Sequence, residues 1–164
     1  MSPEVEAARE ADLPAIATLN VTAYGEFEPR MTPEGWAGMA ASVAAVETVA
    51  ERAAFLLVRD GGEIAASVAY VPPGDSDVPF PAAWASILLL AVSPRCRGRG
   101  LARGLLDACI ARARDEGARI IGLYTSELMT GALHLYESAG FVEDCELARR
   151  HGLRYWRYKL TLRE

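Results

Sequence analysis

A chain of 164 residues with 51% hydrophobic content is expected to fold as one domain over residues 1–164, with enough apolar surface to bury a core. No apolar run approaches the ~20 residues that cross a bilayer, and the start lacks the basic and apolar segments of a leader, so a soluble, cytoplasmic protein with no membrane partner is expected. A net charge of −5 disfavours nucleic acid as a partner, and an odd set of unpaired cysteines, Cys96, Cys109 and Cys145, argues against a disulfide framework or a metal site.

Val5 to Arg9 has the composition of a short strand. Asp12, with Pro14 behind it, suits the N-cap and first turn of a helix that the pattern carries to about Tyr24. Thr32-Pro33-Glu34 opens a second predicted helix, rich in Ala and apolar over a wide face, through about Arg52. Phe55 to Arg59 and Glu63 to Val71 read as antiparallel strands joined by Asp60-Gly61-Gly62, whose glycines reach the positive φ that a tight hairpin demands. From Pro72-Pro73-Gly74 through Pro81 the chain breaks regular structure, predicting a loop beside a functional site.

The segment Ser86 to Ala102, SILLLAVSPRCRGRGLA, carries the strongest chemical signal. An apolar strand, fit to be covered on both faces, runs into an arginine- and glycine-rich turn and then an amphipathic helix over Leu101 to Glu116. Gly98 and Gly100 let the backbone approach a ligand, and the helix-opening amides carry partial positive charge, so the segment is suited to a pyrophosphate. Arg95, Arg97, Arg99 and Arg103 concentrate charge there. A P-loop needs Lys then Ser or Thr where this chain has Arg103-Gly104, and a dinucleotide fingerprint needs Gly or Ala at Arg103. ATP, GTP and NAD are therefore disfavoured.

The predicted helix stops at Gly117, and Ile120 to Thr125 follows as a strand, making a right-handed crossover with parallel strands. Ala132 to Gly140 reads as a short helix with Leu133, Leu135 and Tyr136 packed inward, and Phe141 opens a strand. The basic stretch Arg149-Arg150-His151, with Arg154, Arg157 and Lys159 among Tyr155, Trp156 and Tyr158, reads as a terminal strand with one solvated face rather than an RNA-binding surface.

Two blocks, Val92-x-Pro94-x-x-Arg97-Gly98-Arg99-Gly100-Leu101-Ala102 and Ala132-Leu133-His134-Leu135-Tyr136-Glu137-Ser138-Ala139-Gly140-Phe141, resemble in order and spacing the signatures of the GNAT superfamily of N-acetyltransferases. Glu10 to Ile16 resembles the segment after that family's first strand. The resemblance implies an α/β single-domain GNAT fold with a mixed central sheet of six or seven strands flanked by helices on both faces. Acetyl-CoA is the implied co-substrate, with no metal. Backbone groups of Leu90, Ala91 and Val92 would run along the pantetheine arm, while Arg97, Gly98, Arg99, Gly100, Leu101, Ala102 and Arg103 would supply amides and charge to the pyrophosphate. Tyr136 matches the position that protonates the leaving sulfur. The implied acceptor is a primary amine of a small molecule, attacking directly in a ternary complex, and a homodimer is left open.

Two positions depart from the family pattern. Met129 stands where many members have an Asn, and Tyr124 stands where those that acetylate protein N-termini have a Glu. The general base is correspondingly open: Glu127 is a candidate, with a solvated loop role as its plainer reading. Glu26, Phe27, Glu28, Trp36, Phe80 and Trp84 are candidates to shape the acceptor pocket, where acidic residues would suit a cationic acceptor. Met129 and the missing base also admit a rival, a catalytically silent acyl-CoA-binding regulatory domain.

Overall fold

The computed structural model describes residues 3–74 and 79–163. Its strands are β1 (Glu6–Ala7), β2 (Ala54–Asp60), β3 (Glu63–Val71), β4 (Ala85–Val92), β5 (Ile120–Ser126), β6 (Val142–Arg150) and β7 (Leu153–Thr161). They form one sheet in the order β1-β2-β3-β4-β5-β7-β6, antiparallel throughout except between β4 and β5. The helices are α1 (Leu13–Tyr24), α2 (Pro33–Ala44), α3 (Val46–Ala50), α4 (Leu101–Asp115) and α5 (Thr130–Ser138).

Alternation along β2 shows how the sheet is sandwiched. Leu56 and Val58 face a core built with Leu105, Leu106, Cys109 and Ile110 of α4 and Tyr136 of α5, whereas Phe55 and Leu57 face Ile16 of α1 and Val46 of α3. The expected mixed sheet with helices on both faces is what forms. Leu105 and Leu106 are fully buried, and burying each such side chain contributes roughly 1.5–3 kcal/mol.

Local chemistry moves several predicted boundaries. Asp12 does not cap α1; its carboxylate accepts from the Arg9 backbone N–H and from Arg59, each at 2.9 Å, and so ends β1 early and ties it to β2. Those hydrogen bonds hold the Asp12 carboxyl below its ordinary value. The helix expected from Thr32 to Arg52 breaks at Ala45, whose ψ of 48° turns the chain so that Val43 enters the cluster with Met39 and Tyr155 while Val46 reaches the sheet. The basic stretch from Arg149 to Lys159, expected as one terminal strand, is instead divided between β6 and β7 by a turn at His151-Gly152 with φ of 55° and 76°. Part of the predicted loop from Pro72 to Pro81, residues 75–78, lies outside the described residues.

One irregularity shapes the centre of the sheet. The β3–β4 register slips between Ser67, opposite Ala91, and Ala69, opposite Leu88, so β4 carries an extra residue, and Leu89 takes a φ of 58°. Such a bulge bends and twists its strand. The parallel pairing with β5 is confined to Ala85 with Ile121 and Ser86 with Gly122, while β5 pairs along its whole length with β7. Beyond Ser86 the two central strands diverge.

Candidate active site

A cavity of about 920 Å³ fills the space where β4 and β5 part. One wall is the freed edge of β4, with Leu90, Ala91 and Val92 among its lining residues. The next part is the turn after β4 and the start of α4, where Gly98 and Gly100 both adopt a φ of 77° and no side chain caps the helix. Gly98, Gly100, Leu101 and Ala102 line the cavity, so the uncapped first turn of α4 borders it with its donors and the positive end of its dipole.

Arg97 and Arg103 also line the cavity. Arg97 is held by the Glu26 carboxylate and donates to the Ala23 carbonyl at 3.3 Å; Arg103 pairs with Asp107 at 3.1 Å and donates to Ser138 Oγ at 3.2 Å. Arg99 differs from the expectation. It pairs with Asp60 at 3.2 Å, which holds its side chain toward the β2–β3 hairpin, and it is absent from the lining.

Tyr136 enters the cavity from α5. Its ring packs on Phe141 with centroids 6.1 Å apart, and the helix ends through a Phe141 N–H bond to the Tyr136 carbonyl at 3.0 Å, made accessible by the φ of 101° at Gly140. Burial pushes its phenol pKa well up, so the hydroxyl remains protonated. Across the cavity Tyr24 donates to the Leu90 carbonyl at 3.2 Å, beside the bulge. Its phenol is also raised, by burial first and then by the neighbouring Tyr136, Tyr124 and Tyr155.

Glu127 is placed otherwise than a base requires. Its carboxylate accepts the Arg154 backbone N–H at 2.7 Å at the start of β7, and the residue does not line the cavity. The pairing is structural: it fastens the chain after β5 to the neighbouring strand. Met129 and Tyr124 do line the cavity, Tyr124 stacked on Phe80 at 6.0 Å and edge-on to Tyr155 at 5.8 Å.

Residues 13–141 match the acetyltransferase (GNAT) family. The chain belongs to that family. It is 37% identical over 91 residues to the mycothiol acetyltransferase of Geodermatophilus obscurus, an alignment covering 54% of this chain and 29% of that relative, so the chain spans under a third of the relative's length. A crystal structure of a histone acetyltransferase HPA2 and related acetyltransferase from Corynebacterium glutamicum superposes with a TM-score of 0.71 at 27% identity, covering 97% of this chain and 96% of that one. The structure of yncA from Salmonella typhimurium with its cofactor acetyl-CoA superposes with a TM-score of 0.70 at 18% identity, covering 100% of this chain and 96% of that one.

The rest of this GNAT cavity was only partly foreseen from sequence. Glu26 and Phe27 line it, whereas Glu28, Trp36, Phe80 and Trp84 do not; Phe80 packs with Trp84 and Tyr124 behind the wall. The basic run of β7 is met by carboxylates of β6, Arg154 by Glu146 at 2.9 Å, and Arg157 and Lys159 by Asp144 at 2.7 and 3.3 Å. Sequence reasoning missed Met39, Tyr155, Arg150 and His151 as lining residues. The His-Gly pair between two strand-like runs was the available signal, since a two-residue turn there makes a hairpin and brings its tip to the cavity.

Proposed function

We propose that the protein transfers an acetyl group from acetyl-CoA to a primary amine of a small molecule, by direct attack in a ternary complex. The observation that carries this reading is the continuous wall formed by the freed edge of β4, the glycine turn and the uncapped start of α4, with Tyr136 in the same cavity. A peptide-like arm can pair with β4 as an added strand would, while a diphosphate fits the amides and arginines at the α4 end. The fit rests on those open donors.

Acetyl-CoA supplies the activated acyl group. The neutral amine nitrogen bonds to the acetyl carbon, the carbon–sulfur bond breaks, and the positively charged nitrogen releases its proton to solvent. The edge of β4 left without a β5 partner beyond Ser86 offers main-chain donors to the negative charge that develops on the carbonyl oxygen. Tyr136, kept protonated by burial, gives its proton to the departing sulfur. The phenolate then regains a proton from solvent, closing the cycle.

Release of CoA thiol, followed with a panel of amino acids, polyamines, aminoglycosides and peptides, tests the proposal. Amine-dependent release is expected. Tight acetyl-CoA binding with no release against any amine would establish the silent module instead.

A further inference from the structure

The cavity is electrostatically lopsided. Among the described residues its lining holds one carboxylate, Glu26, against the guanidiniums of Arg52, Arg97, Arg103 and Arg150. Glu26 is already engaged by Arg97. The acidic residues expected to receive a cationic acceptor are thus spent at the α4 end or, like Glu28, outside the lining.

Arg150 sits at the other end. It precedes the two-residue turn of β6–β7, and its guanidinium lies 3.3 Å from the Tyr124 hydroxyl and 5.8 Å from the Tyr124 ring centre, with no carboxylate partner among the described residues. Its neighbours on β7 behave differently: Arg154 and Arg157 are each neutralised by a carboxylate of β6. A single neutral hydroxyl leaves most of the donor fork of Arg150 unused, and that fork matches a carboxylate in two parallel hydrogen bonds.

The turn is held in place from behind. A Cβ on Gly35 of α2 would collide with the His151 carbonyl oxygen, and one on Gly38 would come within 2.8 Å of His151 Nδ1, so the two glycines form a notch that seats the turn. His151 occupies a positive φ of 55°, a conformation that the succeeding glycine and this notch sustain. The guanidinium therefore projects from a fixed base. Around it Tyr124, Tyr155, Met39 and Leu128 make the wall largely apolar.

We infer that the acceptor is an amine bearing a carboxylate, of the class of apolar or aromatic α-amino acids, and that Arg150 binds the carboxylate while the amine points toward the β4 bulge. This rests on the acetyl-transfer reading above. The α4 end holds the co-substrate's phosphates, so the two substrates are anchored by their anionic groups at opposite ends and their acetyl and amine groups meet at the diverging strands.

Matched pairs provide the test: phenylalanine against phenethylamine, and methionine against 3-methylthiopropylamine, each as acceptor for wild type, Arg150→Gln and Arg150→Lys. Since hydrogen bonds to charged groups carry most of the discrimination, wild type should favour the amino acid by about 10- to 100-fold in kcat/KM. Arg150→Gln should reduce that ratio to within about 3-fold by raising KM for the amino acid, and Arg150→Lys should retain part of it. Equal or reversed preference in wild type, or a loss in Arg150→Gln that falls on the KM for acetyl-CoA, overturns the inference while leaving acetyl transfer intact. If no amine is turned over, acetyl transfer itself fails, and calorimetry of N-acetylphenylalanine against N-acetylphenethylamine on the CoA-bound protein still decides: binding about 10-fold tighter for the carboxylate supports the inference, and equal binding overturns it.

Discussion

The two ends of the cavity are built in opposite ways. At the α4 end one unbroken stretch, Leu90 to Arg103, supplies most of the wall, and the groups offered are main-chain amides, two left-handed glycines and arginines already paired with carboxylates. At the hairpin end the wall is assembled from side chains on α1, α2, β5 and the β6–β7 turn, widely separated in sequence. Backbone donors can grip a group as uniform as a diphosphate, so a short segment suffices. Recognition of a variable acceptor needs side chains converging from several elements.

The largest expected effect lies where the two ends meet. Tyr136→Phe keeps the ring that packs on Phe141 but removes the proton; kcat should fall by about 10²- to 10⁴-fold while the KM for acetyl-CoA stays within about 3-fold. Steady-state kinetics with saturating amine check this, and an unchanged kcat would move the acid role to another group such as Tyr24.

A subtler contrast concerns protons at the hairpin end. Burial, and secondarily Arg150, lower the pKa of His151 below its ordinary value, so the folded protein takes up that proton later than the unfolded chain does. The associated stability is complete above the unfolded value near 6.5 and is lost as pH falls below it toward the folded value. Melting temperatures recorded from pH 7.5 down to pH 5 should therefore drop further for wild type than for His151→Gln. Parallel curves would remove His151 from the acid response.

The smallest effect should come from Glu26→Gln at the α4 end. It frees Arg97 from a half-exposed ion pair, and such pairs contribute at most ~1 kcal/mol. The KM for acetyl-CoA should fall by no more than about 3-fold, because the released guanidinium no longer leaves one partner to take up another. A rise would mean that Glu26 positions Arg97 for the phosphates.

What was legible in the chain follows the same division. The β4–turn–α4 segment and the Tyr136 block are contiguous, and their glycines and helix ends carry local rules that the structure keeps, from the φ of 77° at Gly98 and Gly100 to the stop at Gly140. The β2–β3 hairpin turned at Gly61-Gly62 was legible for the same reason. Arg99 was not, since the direction of its side chain depends on Asp60 of another hairpin. Glu127 is similar: its partner is the Arg154 main chain, 27 residues away. The break at Ala45 arises from two separate cores competing for Val43 and Val46, which no helical periodicity reports. Arg150 read as one more charge on a solvated strand; only the folded hairpin separates it from Arg154 and Arg157 and leaves it facing the cavity.

The central claim is that main-chain donors at the start of α4 hold the diphosphate of coenzyme A, and calorimetric titration of acetyl-CoA into wild type and Gly100→Val tests it most directly. A Cβ at Gly100 would meet nothing within 4 Å, so the variant's penalty is conformational, arising from a φ of 77° that a β-branched residue resists. The account predicts saturable binding to wild type and affinity weakened by about 10-fold or more in the variant, with the melting transition still cooperative. No heat with wild type, or equal affinities for the two proteins, would contradict it.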